Sequence, residues 1–352
     1  MMTSMRIQTS TRTSRTFVAL AVCVVILAIL LPAFASRGMI KDMFLILTLL
    51  SLAQCWNLLA GYGGLVSVGQ QAFVGLGAYT LFASVSLAGI DPLFAILIGG
   101  LAALVIAIPS GFFLFRLDGA YFAIGSWVIA EVIRLLVSQW KALGGGTGTS
   151  LPRDVVRNMA GTEWIQTVFG VSASAARDIL LYWIALAMAV IFIAVVYVML
   201  RKRIGLGLSA VRDNVDAAKS VGINAVAMKW MTYLIAAFGT GIVGALIFLQ
   251  KARISPDSAF SVTDWTAFVI FVVVIGGIGT IEGPIIGVMV FFVLRALLAD
   301  FGTWYLVALG LAGVAVMVFA RQGIWGLLQQ RSGLVLFPIQ RRLILNHERT
   351  ET

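Results

Sequence analysis

The chain has 352 residues, of which 61% are hydrophobic and only 11% are charged. Ordinary soluble domains are about 45 to 50% apolar and about 25% charged, so this composition indicates an integral membrane protein. A membrane-spanning helix needs about 20 apolar residues, and the length therefore fits one bundle of about ten helices. The net charge of +10 rests on few charged residues and reflects membrane topology, so we expect the lipid bilayer as a partner and no nucleic acid.

The composition also excludes several kinds of chemistry. Cys23 and Cys55 both lie in apolar runs, which indicates packing residues and neither a disulfide nor a zinc framework. The single histidine, His347, lies in the polar C-terminal tail, so histidine-dependent catalysis and histidine-ligated metal sites within the bundle are excluded. No lysine follows a glycine, and the Walker A pattern is therefore absent. We expect no catalytic residue, cofactor or metal in this chain, and any ATP must bind another chain.

Apolar runs bounded by charges, glycine and proline predict an all-α, polytopic transmembrane helix bundle with about ten spans. Glycines and polar residues interrupt the stretch 61–77, which indicates that a broken or re-entrant helix is possible at the third span. The predicted spans are 17–35, 43–60, 67–90, 93–115, 121–138, 179–200, 229–250, 265–281, 284–299 and 304–320.

The distribution of lysine and arginine predicts the orientation of the bundle. Alternate loops carry a large excess of cations, whereas the remaining loops carry as many acids as cations, so the basic loops and both termini are expected in the cytoplasm. The predicted organisation is a basic tail at 1–16, a transmembrane domain at 17–320 with an outer loop at 139–178 and a coupling loop at 201–228, and a basic tail at 321–352. Residues 15–35 are also compatible with a cleavable signal peptide, and removing them leaves the C-terminus inside.

Two of the loops carry a pattern of their own. The glycine-rich stretch 143–152 of the outer loop suits either close approach to a ligand or docking protein, or a flexible connector. The inner loop has an apolar stripe at helical spacing with charges on the other face, which predicts one amphipathic helix ending near Gly222. The apolar stripe is Leu208, Val211, Val215 and Ala218, and the charged face is Arg212, Asp213, Asp216 and Lys219.

Small residues at four-residue spacing in the fourth and seventh spans predict close helix packing, because short side chains let helix backbones approach. They are Gly99, Ala103, Ala107 and Gly111 in the fourth span and Ala237, Gly241 and Ala245 in the seventh.

Three motifs carry a resemblance to a known family. Residues 56–79 read WNLLAGYGGLVSVGQQAFVGLGAY, residues 216–222 read DAAKSVG, and residues 276–287 read GGIGTIEGPIIG. In this order they resemble the signatures of permease subunits of branched-chain (hydrophobic) amino-acid ABC importers, and the resemblance covers about residues 43–326. The chain departs from that family at Gln70, where many relatives carry histidine, and at Asp216, where the family's coupling motif carries glutamate.

The resemblance implies alternating access, coupling to ATPases and a location in the bacterial inner membrane. It also implies a second, homologous permease subunit, two ATPase subunits and an extracytoplasmic solute-binding protein as partners. Residues implied in ATPase coupling are Arg212, Asp213, Asp216, Ala217, Ala218 and Gly222. Candidates for the translocation path are Asn57, Gly61, Ser67, Gln70, Gln71, Glu131 and Arg134.

Glu131 and Arg134 lie three residues apart in the fifth span and therefore share a helix face. Because a charge deep in a bilayer costs at least about 2.5 to 3.5 kcal/mol, we expect both to face the bundle interior and to compensate each other or a partner such as Arg295. A purely structural pair and a path residue remain alternative interpretations.

Other transporter classes remain as alternatives. Related permeases carry simple sugars, and members of the same family carry small amides or urea. A secondary transporter without an ATPase and an intramembrane enzyme are further alternatives, which the coupling motif and the absence of histidine from the bundle disfavour, respectively.

Overall fold

The computed structural model describes residues 5–8, 12–298, 304–320, 322–332, 336–337 and 342–345. The chain is largely α-helical, as predicted, and two short antiparallel two-stranded sheets accompany the helices. The helices are α1 Arg12–Leu30, α2 Arg37–Asn57, α3 Gln70–Ala88, α4 Pro92–Leu114, α5 Ala120–Ser138, α6 Arg153–Arg157, α7 Thr162–Phe169, α8 Ala173–Arg201, α9 Arg203–Asp213, α10 Val215–Ser220, α11 Ala225–Lys251, α12 Pro256–Ala259, α13 Phe268–Gly276, α14 Glu282–Leu298, α15 Trp304–Phe319 and α16 Gly323–Ser332. The strands are β1 Met5–Gln8, β2 Thr149–Ser150, β3 Arg253–Ile254 and β4 Arg342–Leu345.

Eight helical segments of the described chain are long and apolar enough to cross a membrane. They correspond to predicted spans two to eight and to a segment Leu306–Ser332 that combines α15 with α16. The first predicted span corresponds to the shorter apolar helix Val18–Ala33, and the ninth to α14, which has 17 residues. The polytopic bundle is therefore confirmed, whereas the count of about ten spans is not.

α11 lies at the centre of the bundle, where it packs against α2, α3 and α4. The predicted close packing is present, and the structure shows that the two small-residue helices α4 and α11 contact each other, because a Cβ atom added to Gly241 would lie 2.5 Å from the Cβ of Ala103. A Cβ added to Gly77 of α3 would lie only 1.9 Å from the carbonyl oxygen of Gly241. These three helices therefore pack backbone against backbone, as the spacing of small residues predicts.

α8 defines the two ends of the bundle. Its 29 residues span about 43 Å at 1.5 Å per residue. α6 and α7 precede its first turn, and α9 and α10 follow its last turn. We refer to these as the α6–α7 end and the α9–α10 end.

The glycine-rich loop is ordered at the α6–α7 end. β2 pairs with β3, with Thr149 opposite Ile254, and the Leu151 amide donates a 3.0 Å hydrogen bond to the carbonyl oxygen of Ala252. The loop is thus tied to the end of the central helix α11, which disfavours its interpretation as a flexible connector.

The packed part of the chain extends beyond residue 320, where the sequence predicts the start of a tail. Residues 323–332 form α16, which packs against α13 and α14, and Trp325 is buried. Cys55 is buried as expected for a packing residue, whereas Cys23 is exposed on α1.

Candidate functional site

The break predicted in the stretch 61–77 is present. α2 continues as one turn of π-helix over Leu58–Tyr62. Residues 63–69 form no helix and contain only a turn and a bend, and α3 starts at Gln70. Single π-turns within α-helices occur frequently at functional sites, because the wider turn leaves backbone groups free to rearrange. The first motif of the sequence therefore forms a helix end followed by an irregular segment.

This π-turn contacts the turn between α13 and α14, which contains the third motif. The side chain of Asn57, which is fully buried, accepts a 2.8 Å hydrogen bond from the amide of Gly279 and donates a 2.8 Å bond to the carbonyl oxygen of Thr280. A Cβ at Gly61 would lie 2.6 Å from the nitrogen of Gly279, so only glycine fits there without displacement. Gln54 adds a 2.9 Å bond to the carbonyl oxygen of Ile281.

Arg212, which lies four residues before the second motif, links this contact to that motif. From the end of α9, its Nη1 donates a 3.3 Å hydrogen bond to the carbonyl oxygen of Gly61, while its Nε donates to Asp213 at 3.1 Å. A Cβ at Gly279 would lie 3.3 Å from the same Nη1. Arg212 also lines a cavity of about 410 Å³ that reaches Lys229 and the irregular segment after the π-turn. We name the contact of Asn57, Gly61, Gly279 and Arg212 the three-motif junction.

The inner loop contains two helices, and the prediction of one continuous amphipathic helix is wrong. Asn214 adopts an extended backbone (φ −159°, ψ 112°), and its side chain accepts 3.0 Å hydrogen bonds from the amides of Asp216 and Ala217. Asparagine is a good N-cap because its side-chain oxygen satisfies the free amides of a first helical turn. The cap therefore ends α9 and starts α10 within the predicted helix.

The predicted two-faced character of this loop survives the break. Leu208, Val211 and Ala218 are buried, whereas Ala217 and the ion pair between Asp216 and Lys219 are exposed. Gly222 has a φ of +83° and follows α10, as expected for a helix stop. α10 therefore presents a short exposed surface formed by Asp216, Ala217, Lys219 and Ser220 of the second motif.

The remaining polar candidates are Ser67, in the irregular segment, and Gln70 and Gln71, at the start of α3, and all lie inside the bundle with partners. The indole of Trp56 donates a 2.8 Å bond to the carbonyl oxygen of Ser67. Gln70 donates to Thr240 of α11 at 2.9 Å, and the side chain of Gln71 accepts a hydrogen bond from Thr266. Ser67, Gln70 and Gln71 are all buried, so they form a polar layer within an apolar core.

Glu131 and Arg134 form the expected mutual pair, with a distance of 2.5 Å between Oε1 and Nη2. This is the first of the two expected arrangements. A further partner of Arg134 is Asp257 of α12, at 2.9 Å from Nη1, whereas the guanidinium of Arg295, the other expected partner, lies over the ring of Phe292. The Glu131 side chain is 43% exposed in this chain, so the expected interior position is wrong. The pair lies in the second half of α5, toward the α6–α7 end, where α12 supplies a carboxylate that sequence spacing does not reveal.

Asp178 is a charged centre that the sequence does not reveal as such. Its side chain is 1% exposed and pairs with Arg37 at 2.6 Å, Arg177 at 3.2 Å and Lys41 at 3.8 Å, while Gln250 donates to it at 3.0 Å. It joins α2, α8 and α11 at the α6–α7 end. In the sequence, Asp178 is recognisable only as an acid at the start of an apolar run. That pattern does not show which residues pair with it, because its partners on α2 and α11 are distant in sequence.

These features define a polytopic helical membrane protein in which polar residues line helix ends and a short helix pair extends from one end. Among the described residues, no three His, Cys, Asp or Glu side chains are grouped closely enough to hold a metal ion. The arrangement suits transport across the membrane, because it provides a broken helix, a polar layer and a surface outside the bundle.

A family model described as "Branched-chain amino acid transport system / permease component" matches residues 38–323, and the chain belongs to this family. The chain is 29% identical over 314 residues to the high-affinity branched-chain amino acid transport system permease protein LivM of Escherichia coli, covering 86% of this chain and 73% of the relative. The protein with the same description from Salmonella typhimurium is 28% identical, with coverage of 85% and 72%. A probable branched-chain amino acid transport permease protein LivM of Methanocaldococcus jannaschii is 26% identical, with coverage of 58% and 54%. This chain is accordingly a transport component of the membrane and not an enzyme.

Proposed function

We propose that this chain imports branched-chain or other hydrophobic amino acids across the bacterial inner membrane as one permease subunit of an ATP-driven ABC importer. The names of the relatives support this substrate class, and the three motifs support the importer type. The complete importer would contain a second, homologous permease, two ATPase subunits and an extracytoplasmic solute-binding protein. The chain itself would need no cofactor, because ATP is hydrolysed on the partner subunits.

The observation that carries the proposal is the connection from α10 to the three-motif junction. α10 is short and exposes Ala217 and Asp216, which suits insertion into a cleft of another protein. α9 precedes it directly and holds Gly61 through Arg212. Movement of α10 by an ATPase would therefore reach the π-turn of α2 and, through Asn57, the turn before α14.

We place the α9–α10 end in the cytoplasm and the α6–α7 end outside, with ten spans that include α1 and α14 and with both termini inside. The excess of lysine and arginine in the loops assigned to the inside supports this orientation. The pairing of β1 with β4 supports a common side for the two termini, because Met5 lies opposite Leu345.

The translocation path would run along the polar layer of α2 and α3. Asn57, Ser67, Gln70 and Gln71 are each hydrogen-bonded in this conformation, and alternating access would exchange these bonds as helices move apart. Gly61 lies at the cytoplasmic end of this layer. Glu131 and Arg134 would flank the outer part of the path on the face of α5 that this chain leaves largely exposed.

Co-purification tests the importer type. The chain, tagged at its N-terminus, would be expressed with the subunits of its import system and purified in mild detergent, and we expect nucleotide-binding subunits in the same complex. A secondary transporter and an intramembrane enzyme both predict a complex without ATPases. Binding competition with leucine, urea and a simple sugar then separates the substrate classes, and we expect only leucine and similar amino acids to compete.

A substitution that removes the charge of Arg212 tests the coupling route. Arg212→Gln removes the contact with Gly61, so we expect ATPase subunits to bind normally while substrate uptake per ATP hydrolysed falls. The matched control is Arg203→Gln. Arg203 is an exposed cation at the start of α9 that forms no ion pair within the described chain. Equal coupling ratios in the two variants would contradict the route through Arg212.

A further inference from the structure

A second cavity, of about 520 Å³, opens at the α6–α7 end. α6, the first turn of α8, Leu151 and Ala252 line it, so it sits above the end of the central helix α11. Its polar lining consists of Arg153, Asp154, Arg157, Ser172, Ser174 and Arg177. None of these residues belongs to the three-motif junction or to the polar layer of α2 and α3.

The guanidinium groups of this cavity have free donors. Arg153 and Arg157 are four residues apart on α6, are exposed, and form no side-chain hydrogen bond or ion pair within the described part of the chain. The Nε of Arg177 is buried without a hydrogen-bond partner, although its Nη2 donates to Asp178 at 3.2 Å. The reachable free donors are therefore those of Arg153 and Arg157, and a carboxylate that enters the cavity can accept hydrogen bonds from them.

The charge of the lining selects an anion. Asp154 supplies a carboxylate against the guanidinium groups of Arg153, Arg157 and Arg177, so the lining is net positive. A free hydrophobic amino acid is a zwitterion without net charge and does not match that excess. The planar fork of arginine matches both oxygens of a carboxylate, which favours an acidic side chain. The small side chains of the first turn of α8 leave room for such a side chain to enter.

The surroundings extend the positive surface. Arg37 and Lys41 lie beside the same first turn of α8, with side chains 46% and 48% exposed, and share the buried carboxylate of Asp178. Although the outer loops together carry as many acids as cations, this local group of cations orients an acidic side chain on contact.

We propose that the cavity lined by Arg153, Arg157 and Arg177 receives an acidic side chain of the extracytoplasmic protein that delivers substrate to this permease. The inference rests on the proposed function, which gives the chain such a partner and places the α6–α7 end outside. The carboxylate enters between α6 and the first turn of α8 and accepts hydrogen bonds from the free guanidinium donors. Docking there holds the partner over the end of α11.

To test this, leucine-loaded binding protein is titrated into proteoliposomes that contain the complete importer and saturating ATP, and leucine uptake is measured. In the double variant Arg153→Gln/Arg157→Gln we expect the half-saturating concentration of binding protein to rise about tenfold or more at 0.15 M salt. The maximal uptake rate should stay unchanged, and the difference should shrink at high salt. Arg157→Lys, which keeps the charge but loses the planar fork, should lie between wild type and the double variant.

Arg253→Gln is the matched control, because Arg253 is exposed at the same end on β3 and does not line the cavity. We expect it to leave the titration unchanged. An unchanged half-saturating concentration in the double variant, with an active wild type, would overturn the inference and leave the proposed function intact. The titration is repeated in vesicles that lack the anionic lipid phosphatidylglycerol. If the difference between the double variant and the wild type vanishes there, the cavity holds a lipid headgroup and the inference is overturned. A wild-type importer that does not transport leucine would overturn the proposed function and this inference with it.

Discussion

Gly61→Ala tests the three-motif junction, because the added methyl group has no room. Its Cβ would lie 2.3 Å from Oδ1 of Asn57, 2.6 Å from the nitrogen of Gly279 and 2.9 Å from its Cα. Two of these atoms belong to backbone, which cannot rotate away. Overpacking typically costs about 1–3 kcal/mol, and a lost bond between Asn57 and Gly279 adds about 1 kcal/mol, so we expect a destabilisation of about 2–4 kcal/mol.

The assay is thermal unfolding of the purified protein in detergent, followed by intrinsic tryptophan fluorescence. For a chain of this size we expect the midpoint to fall by roughly 3–5 °C. Gly38→Ala is the control, since its Cβ would meet only Oγ of Ser36 at 3.9 Å and α2 gains helix propensity. If Gly61→Ala unfolds at the wild-type temperature, the close approach of the π-turn to Gly279 is refuted.

Three further outcomes are expected. Asp178→Asn leaves the surrounding cations without their carboxylate and should destabilise the protein by about 1–3 kcal/mol in the same thermal assay. Wild-type stability would contradict the assigned pairing. Glu131→Gln should lower stability by about 0.5–1 kcal/mol, because the pair is partly exposed, and Arg134→Gln in the same chain should restore part of the loss; additive losses would indicate that the pair does not interact. Reporter fusions should place Ser150 outside and Lys219 inside, and a cytoplasmic signal at Ser150 would contradict the proposed topology.

Much of the bundle follows from local features of the sequence. Apolar runs predict the long helices, small-residue spacing predicts close helix packing, and glycine interruptions locate the irregular stretch before Gln70. Each of these features depends on residues within one or two helical turns, which is the range over which periodicity is informative.

The contacts that build the candidate site depend on distant parts of the chain. Asn57 and Gly279 belong to separate motifs, and no local pattern shows that one caps the other. The same holds for Arg134 and Asp257, which lie 123 positions apart in the sequence. The break at Asn214 has a different cause. The apolar stripe continues across this residue and predicts one helix, but the Asn214 side chain caps the next helix and ends α9.

The central claim is that α10 couples this permease to ATP hydrolysis, and uptake of radiolabelled leucine into proteoliposomes containing the complete importer tests it most directly. We expect ATP-dependent uptake with the wild type and an about tenfold loss with Ala217→Trp, because overfilling a docking contact costs roughly 1–3 kcal/mol. Leu206→Trp, at a position on α9 that is 74% exposed, should transport normally. Wild-type uptake that needs no ATP, or full uptake by Ala217→Trp, would contradict the claim.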